Sequence, residues 1–522
     1  MEFVVDPAIA TKIAKMKQRV CWQGQPLAQR QIDQTCLALE NASDHPEFSF
    51  LVIGDSGSGP HRGYNPQRQI VEAMLPHRQD CQFVLHTGDV IYLVGSSEYY
   101  PKNFIRPYRE FLVGGDQPHQ IAYDQMVFNL PFLPVPGNHD YYDLPLLYGV
   151  LAQVAFPIRK LLRSRLDFDV AWHGSYQGDA YARAFLDYLK RFKTPRELEQ
   201  HLDRHYTAMT ETGRCLHYQP GVFTRLPNRY YSFRMGGIDF FALDSNTFNA
   251  PPPLPSTPAG DQYRHYLEQQ REDLNRQMLE LTETAGGLRP EIPREADQLD
   301  DIHGKLEQLT EVKKDIDKQL SSPTASDIDT EQLTWLEQRL VQSWQTPGVR
   351  GRVLYFHHPP YVTEATKWHQ AQTLAVRSRL QQVLDQVART VGDDRQGRPV
   401  VDLVLNGHAH CLEYLRTLDT GHADAHTNWI VCGGSGYSLR RQRQEGPELT
   451  ESLGNLPTSL RPIAKSMLYL GRTGHGSQKR HPYSFLRIDV QAGTPPKFVV
   501  RPYVAERFQR QWQERALEAF VL

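Results

Sequence analysis

The stretch FSFLVIGDSG, residues 48–57, decides how this chain folds. A short run of aromatic, aliphatic and β-branched residues ends at Gly54-Asp55, as a buried strand ends at a sharp turn. An amphipathic stretch around NPQRQIVEAML follows, then a second apolar run, CQFVLHTGD (81–89), and a third, LPFLPVPGNHD, ending at Asp140. Strand, loop, helix, strand is the rhythm of α/β packing.

Working outward, RVLYFHHPP (352–360), VDLVLNGHAH (401–410), WIVCGGSG (429–436), SFLRIDV (484–490) and KFVVRPYV (497–504) read as further strands. YYSFRMGGIDFFALDS (230–245) reads as two strands around Gly236-Gly237, TWLEQRL as a helix, and 373–389 as another. Residues 1–46 read as an N-terminal helical extension, 47–505 as the main domain, and 506–522 as a C-terminal helix. Two helical insertions are expected, at about 145–228 and 261–321. In the second, Leu267, Leu274, Met278 and Leu281 form one stripe. Leu299, Ile302, Leu306, Leu309, Ile316 and Leu320 form another, interrupted by Lys313. With the breaker GGLRPEIP between them, they predict an antiparallel helical hairpin: a structural arm, or else a lid or a homo-oligomer contact.

Bulk properties narrow the class. The 522 residues are 40% hydrophobic with a formal net charge of −2, enough apolar content for a core and no basic footprint for nucleic acid. Six scattered cysteines, none in a Cys-x-x-Cys pair, argue against a zinc ribbon or a disulfide scaffold. No run is long enough to span a membrane and the N-terminus lacks a signal-peptide core, so a soluble, cytoplasmic protein is expected.

Five segments share one layout, an apolar strand running into a loop that holds metal-binding side chains. They are Gly54-Asp55; Gly88-Asp89 with Tyr92; Gly137-Asn138-His139-Asp140; His357-His358-Pro359; and Gly407-His408-Ala409-His410. Ligands of open α/β sheets gather beyond the carboxyl ends of strands, so these loops can converge. Carboxylate, amide, imidazole and phenol without thiolate suit hard or borderline cations. Each piece alone is weak, since Gly-Asp is commonly a turn and His-x-His a surface pair; five in order are not.

As a set, these blocks resemble the calcineurin-like metallophosphoesterase superfamily, whose motifs run Asp, Gly-Asp, Gly-Asn-His-Asp/Glu, His and Gly-His-x-His. The resemblance covers about 48–505 apart from the insertions. It implies an α/β fold, a β-sandwich flanked by helices (αββα). Many members open with Asp-x-His, but here the block is Asp55-Ser56-Gly57, and Tyr92 stands three residues after Asp89. That Gly-Asp-x-x-Tyr pattern is similar to the purple acid phosphatase branch. The resemblance then implies that Asp55, Asp89, Tyr92 and His410 hold Fe(III). Asp89 would bridge to a divalent metal (Fe, Zn or Mn) completed by Asn138, His357 and His408. His358 would be a supporting residue.

Two cations about 3.5–4 Å apart would clamp an in-line displacement, and the expected attack on phosphorus is by a metal-bound hydroxide, with no protein nucleophile needed. His139 is the candidate proton donor to the leaving group, with Asp140 expected to orient it. His369 is a further substrate-facing candidate, because related phosphatases carry a histidine in that loop. The expected activity is hydrolysis of small phosphate monoesters. The alternatives are a phosphodiesterase or nucleotide hydrolase with two manganese or zinc ions, and a non-catalytic binding protein on the same fold. His422 and His426 read as solvated, Cys411 as buried, and Gly433–Gly436 as a turn that is not a P-loop.

Overall fold

Successive residues of a strand face opposite ways, and here both ways are buried. In the computed structural model, which describes residues 5–40, 45–57, 64–144, 174–289, 292–322, 327–452 and 460–522, strand β8 (Ile238–Ala242) sends Phe240 into one core and Phe241 into another. Strand β9 (Gly351–Phe356) does the same with Tyr355 and Leu354, and β10 (Leu403–Asn406) with Leu405 and Val404. Near-continuous apolar strands of this kind belong to a sheet covered on both faces.

That sheet has eleven strands among the described residues. From β8 through β9 and β10 to β12 (Asn428–Cys432) the strands run parallel. Beyond β12 lie β11 (Leu412–Thr417), β14 (Leu460–Leu470) and β13 (Glu448–Ser452), all antiparallel. On the other side come β7 (Tyr231–Met235), β1 (Ile32–Leu39), β6 (Gly213–Tyr218) and β5 (Ala208–Thr210). The second sheet centres on parallel β2 (Phe48–Ile53), β3 (Cys81–His86) and β4 (Phe132–Pro134). It continues antiparallel through β15 (Arg480–Gln491), β16 (Lys497–Phe508) and β17 (Gln511–Ala516), with β18 (Phe520–Val521) also on β16.

Aromatic side chains join the sheets face to face: Phe240 meets Phe50 edge-on at 5.6 Å and Phe83 at 5.3 Å between ring centroids. Outside the second sheet lies helix α3 (Pro66–Met74), capped by the Asn65 side chain and burying Ile70, Val71 and Met74. Outside the first lie α9 (Thr330–Gln345) and α10 (Ala371–Val391), whose Leu336, Leu340, Leu380 and Leu384 fill the outer core. The layering is helix, sheet, sheet, helix, the α/β sandwich expected from the sequence. Among the described residues no helix is long and apolar enough to cross a membrane.

Residues 258–320 leave the sandwich as two long helices, α7 (Pro258–Gly286) and α8 (Pro293–Leu320). Leu267 and Leu274 of α7 share a small separate core with Leu309 and Ile316 of α8. An ion pair joins Arg271, midway along α7, to Asp317, late in α8.

Three expectations need correction. The N-terminal extension contains α1 (Ile9–Arg19) and α2 (Gln25–Gln29), but also β1, which pairs inside the eleven-stranded sheet. Of the insertion at 145–228, residues 145–173 lie outside the described residues. The rest holds α5 (Asp179–Phe185) and α6 (Pro195–His205), then turns into β5 and β6; a short helix, α4 (Asn138–Tyr141), precedes it. The C-terminal segment is β17 and β18, not a helix. Gln509 and Arg510 both take left-handed φ, of 48° and 66°, as a two-residue hairpin turn requires. The open edge of β16 then captures a segment whose Glu, Ala and Leu content favours helix in isolation.

Candidate metal centre

Every expected ligand follows the carboxyl end of a strand. Asp55, Asp89 and Asn138 lie just beyond β2, β3 and β4; His357 follows β9, and His408 and His410 follow β10. Asp55, Asp89 and His408 hold left-handed φ of 50°, 55° and 65°, a strained conformation for non-glycine residues that clusters at functional sites. The loops also crowd one another. A Cβ on Gly137 would stand 2.1 Å from Asp89 Oδ1, so only glycine lets the Asn138 loop close on Asp89.

The side chains form two groups joined at one oxygen. In the first, the Tyr92 hydroxyl lies 2.8 Å from Asp55 Oδ1, 2.8 Å from Asp89 Oδ2 and 3.1 Å from His410 Nε2. In the second, His357 Nε2 lies 3.2 Å from the same Asp89 Oδ2 and 2.9 Å from Asn138 Oδ1. His408 stands with Asp89 and His357, one ligand atom of each within 4.8 Å of the others. Carbonyls orient two of the rings from behind: Thr87 O meets His357 Nδ1 at 2.9 Å and Ser438 O meets His410 Nδ1 at 2.9 Å, leaving Nε2 of each turned to the cluster. His358 stays outside, held by Ser245 Oγ at 2.8 Å.

The electrostatics are those of a site short of positive charge. All seven residues are buried. Burial drives the Asp55 carboxyl well above its usual range, with Asp89 adding to the push. Burial also opposes ionisation of Asp89, but the facing His357 and His139 hold it low; in return Asp89 and Asp55 lift His357 to about 9 against its own burial. Burial, then the two carboxylates, keep Tyr92 a neutral phenol. Among the described residues, no lysine or arginine bonds to Asp55 or Asp89. Two buried carboxylates, three imidazoles, an amide and a phenol, with no lysine or arginine on either carboxylate, are a donor set that fits metal ions.

The remaining site residues divide. His139 is part-buried beside Tyr92, ring centroids 4.2 Å apart, and its Nδ1 bonds to the Leu93 carbonyl. Asp140 does not orient that imidazole. Its Oδ2 accepts backbone N–H bonds from Gly137 at 2.9 Å, Asp89 at 3.1 Å and Val90 at 3.4 Å, so it fastens the Asn138 loop to the Asp89 loop. His369 is exposed and lies in a different cavity, against the hairpin.

Lys367, two residues before His369, is the residue that reaches the cluster: its Nζ is 3.0 Å from His408 Nε2 and 2.9 Å from Glu311 Oε2 of α8. Tyr437 was likewise not foreseen. Its ring stacks on Tyr92 at 3.7 Å and 9°, and its hydroxyl donates to Glu307 at 2.9 Å. The only sequence signal was Gly433–Gly436, whose close approach to Ala409 and Ser56 carries the chain to Tyr437.

No curated protein sequence matches the chain. Three solved structures are similar in outline, all at low identity. A purple acid phosphatase from yellow lupin (Lupinus luteus) seeds shares 13% identity at a TM-score of 0.40, over 92% of this chain and 55% of that one. This chain thus spans about half the length of the lupin protein. PhoD shares 12% at 0.37, over 92% and 70%. GAP50, the anchor in the inner membrane complex of Plasmodium, shares 10% at 0.34, over 90% and 89%. Residues 48–207, which contain Asp55, Asp89, Tyr92 and Asn138, match the family model for calcineurin-like phosphoesterase.

Proposed function

We propose that this chain is a metal-dependent hydrolase of phosphate monoesters with a binuclear centre of the purple acid phosphatase type. One observation carries the reading: two buried donor groups meet at a single carboxylate oxygen, Asp89 Oδ2. Asp55, Asp89, Tyr92 and His410 would hold Fe(III); Asp89, Asn138, His357 and His408 would hold a divalent Fe, Zn or Mn. A phenol among the donors favours the trivalent ion, and its proton leaves readily only beside such a charge. When bound, the pair supplies Lewis-acid polarisation of the phosphoryl group and acidifies water near neutral pH.

The chain's own groups do the rest. The Leu93 carbonyl can only accept, so His139 Nδ1 carries the hydrogen and Nε2 is left to hold a second proton for the leaving oxygen. Asn138 and His408 line a cavity of about 390 Å³ that admits a small substrate to the cluster, with Tyr142 on its wall. Asp140 keeps the Asp89 and Asn138 loops in fixed register.

The test pairs metal analysis with p-nitrophenyl phosphate and bis(p-nitrophenyl) phosphate. The monoester is expected to turn over faster, and the oxidised protein to show a visible tyrosinate-to-iron band that Tyr92→Phe abolishes. Faster diester hydrolysis with two divalent ions would replace this reading by the phosphodiesterase one. No hydrolysis at full metal occupancy would leave a binding protein.

A further inference from the structure

Next to the proposed metal cluster, two cations converge on one carboxylate. Lys367 Nζ donates to Glu311 Oε2 at 2.9 Å, and Arg440 Nη2 to Glu311 Oε1 at 3.2 Å. Both cations are rooted in the sandwich. Lys367 lies in the loop between β9 and α10, its Nζ 3.0 Å from His408 Nε2. The Arg440 backbone N–H bonds to the His410 carbonyl at 2.9 Å. The anion comes from outside, on α8, whose apolar face belongs to the hairpin core and whose Glu307 Oε2 also meets Arg440 Nη2, at 3.5 Å. Glu311 and Lys367 line the same cavity as Asn138 and His408.

A compact ammonium and a guanidinium sharing two oxygens of one anion are an arrangement that also recognises phosphate. Relative exposure says which partner is free to leave. The Lys367 and Arg440 side chains are 2% and 3% exposed, against 22% for Glu311. Arg440 is further tied to α8 by the Gly304 carbonyl, at 2.7 Å, so it keeps its place if the carboxylate swings out.

Building on the phosphoesterase reading above, we propose that Lys367 and Arg440 bind the phosphoryl oxygens of the substrate, and that Glu311 fills this anion position in the substrate-free protein until the substrate displaces it. The hairpin is then more than an arm: α8 supplies a competing anion that sets how strongly a phosphate must bind to enter.

Calorimetric titration of inorganic phosphate into the metal-loaded protein tests this by the sign of one effect. Glu311→Gln keeps an acceptor oxygen but removes the charge, and should tighten phosphate binding by roughly 10-fold while lowering KM for p-nitrophenyl phosphate in parallel. Lys367→Gln should weaken phosphate binding by a similar factor, and adding it to Glu311→Gln should cancel most of the gain. If Glu311 instead serves to position Lys367, Glu311→Gln will weaken phosphate binding or leave it unchanged, and either result overturns the proposal. Circular dichroism of each variant confirms the fold. Absence of hydrolysis by the parent protein would overturn the phosphoesterase reading and leave the phosphate titration to decide this one.

Discussion

Glu413, the second residue of β11, shows how a single side chain carries a measurable pH dependence. It is fully buried and accepts the Thr363 backbone N–H at 3.0 Å and the Thr363 hydroxyl, tying β11 to the loop that leads to Lys367. Burial outweighs those donors and lifts its carboxyl from the ordinary 4.5 to about 7. Below the unfolded value both states hold the proton and the contribution to stability is complete. As pH rises towards about 7 the unfolded chain releases the proton while the folded one keeps it, so stability falls across that window and levels off above it. Glu413→Gln should remove this slope, gaining on the parent protein by up to about 3 kcal/mol between about pH 4.5 and 7, at roughly 1.4 kcal/mol per unit. Urea midpoints at both ends of the window check it, and a variant advantage that is larger at about pH 4.5 than at about pH 7 would refute it. Nothing in the sequence around Glu413 announces this behaviour, because its burial comes from strands far along the chain. Asp55, Asp89, Asn138, His357, His408 and His410 are different: each sits in a short local pattern at a strand end, which is why they could be named from sequence. Lys367 could not, since a lone lysine in a loop has no pattern to betray it, and the histidine two residues later drew the assignment instead.

At the scale of elements, α8 shows two faces whose meanings differ. Ile302, Leu309 and Ile316 recur every seven residues, a periodicity visible in the sequence. Glu307, Glu311 and Asp315 recur every four on another face and look like a solvated charge stripe. In the fold they meet Tyr437, Arg440, Lys367 and the first backbone N–H groups of α10, the last with Asp315 at 2.7 and 3.0 Å. Charge alone could not distinguish a wet face from one docked on counter-charges; only the tertiary arrangement does. The apolar face yields its own prediction. Leu309 is 5% exposed within a core separate from those of the sandwich, so Leu309→Ala should cost about 2–4 kcal/mol, and that loss should fall on the hairpin. Hydrogen exchange should quicken across α7 and α8 while β8 and β9 keep their protection. Loss of protection throughout the sandwich would show that the hairpin core is not independent. The C-terminal strands make the complementary point, since the edge of β16 overrides a helix-forming composition that has no partner of its own.

Over the whole molecule, the candidate ligands divide by sheet, and this would give the proposed metal centre a structural task. Asp55, Asp89 and Asn138 extend from β2, β3 and β4; His357, His408 and His410 extend from β9 and β10 of the facing sheet. Aromatic packing such as Phe50 on Phe240 holds the layers together at depth, but at the carboxyl ends the contact is between polar groups. There Asp55 and Asp89 are both oriented on the Tyr92 hydroxyl, and Asp89 adds to the push of the Asp55 carboxyl towards its neutral form, a repulsion that a cation between the sheets would relieve. The pairing of one sheet against the other was legible as an α/β sandwich, but not the extension of the larger sheet by β1, β5 and β6, which depends on pairing with strands distant in sequence. If cations bridge the layers, their binding energy is also folding energy, about 2.7 kcal/mol for a site at a hundred times its dissociation constant. Chelation followed by metal analysis should therefore lower the melting temperature by several degrees, with recovery when the ions are restored. Asp89→Asn, which weakens the one donor common to both groups, should shrink the difference between loaded and chelated protein. Identical melting of fully loaded and fully stripped protein would mean that the two sheets hold these loops in register unaided, and that the left-handed backbone at Asp55, Asp89 and His408 is sustained by packing alone.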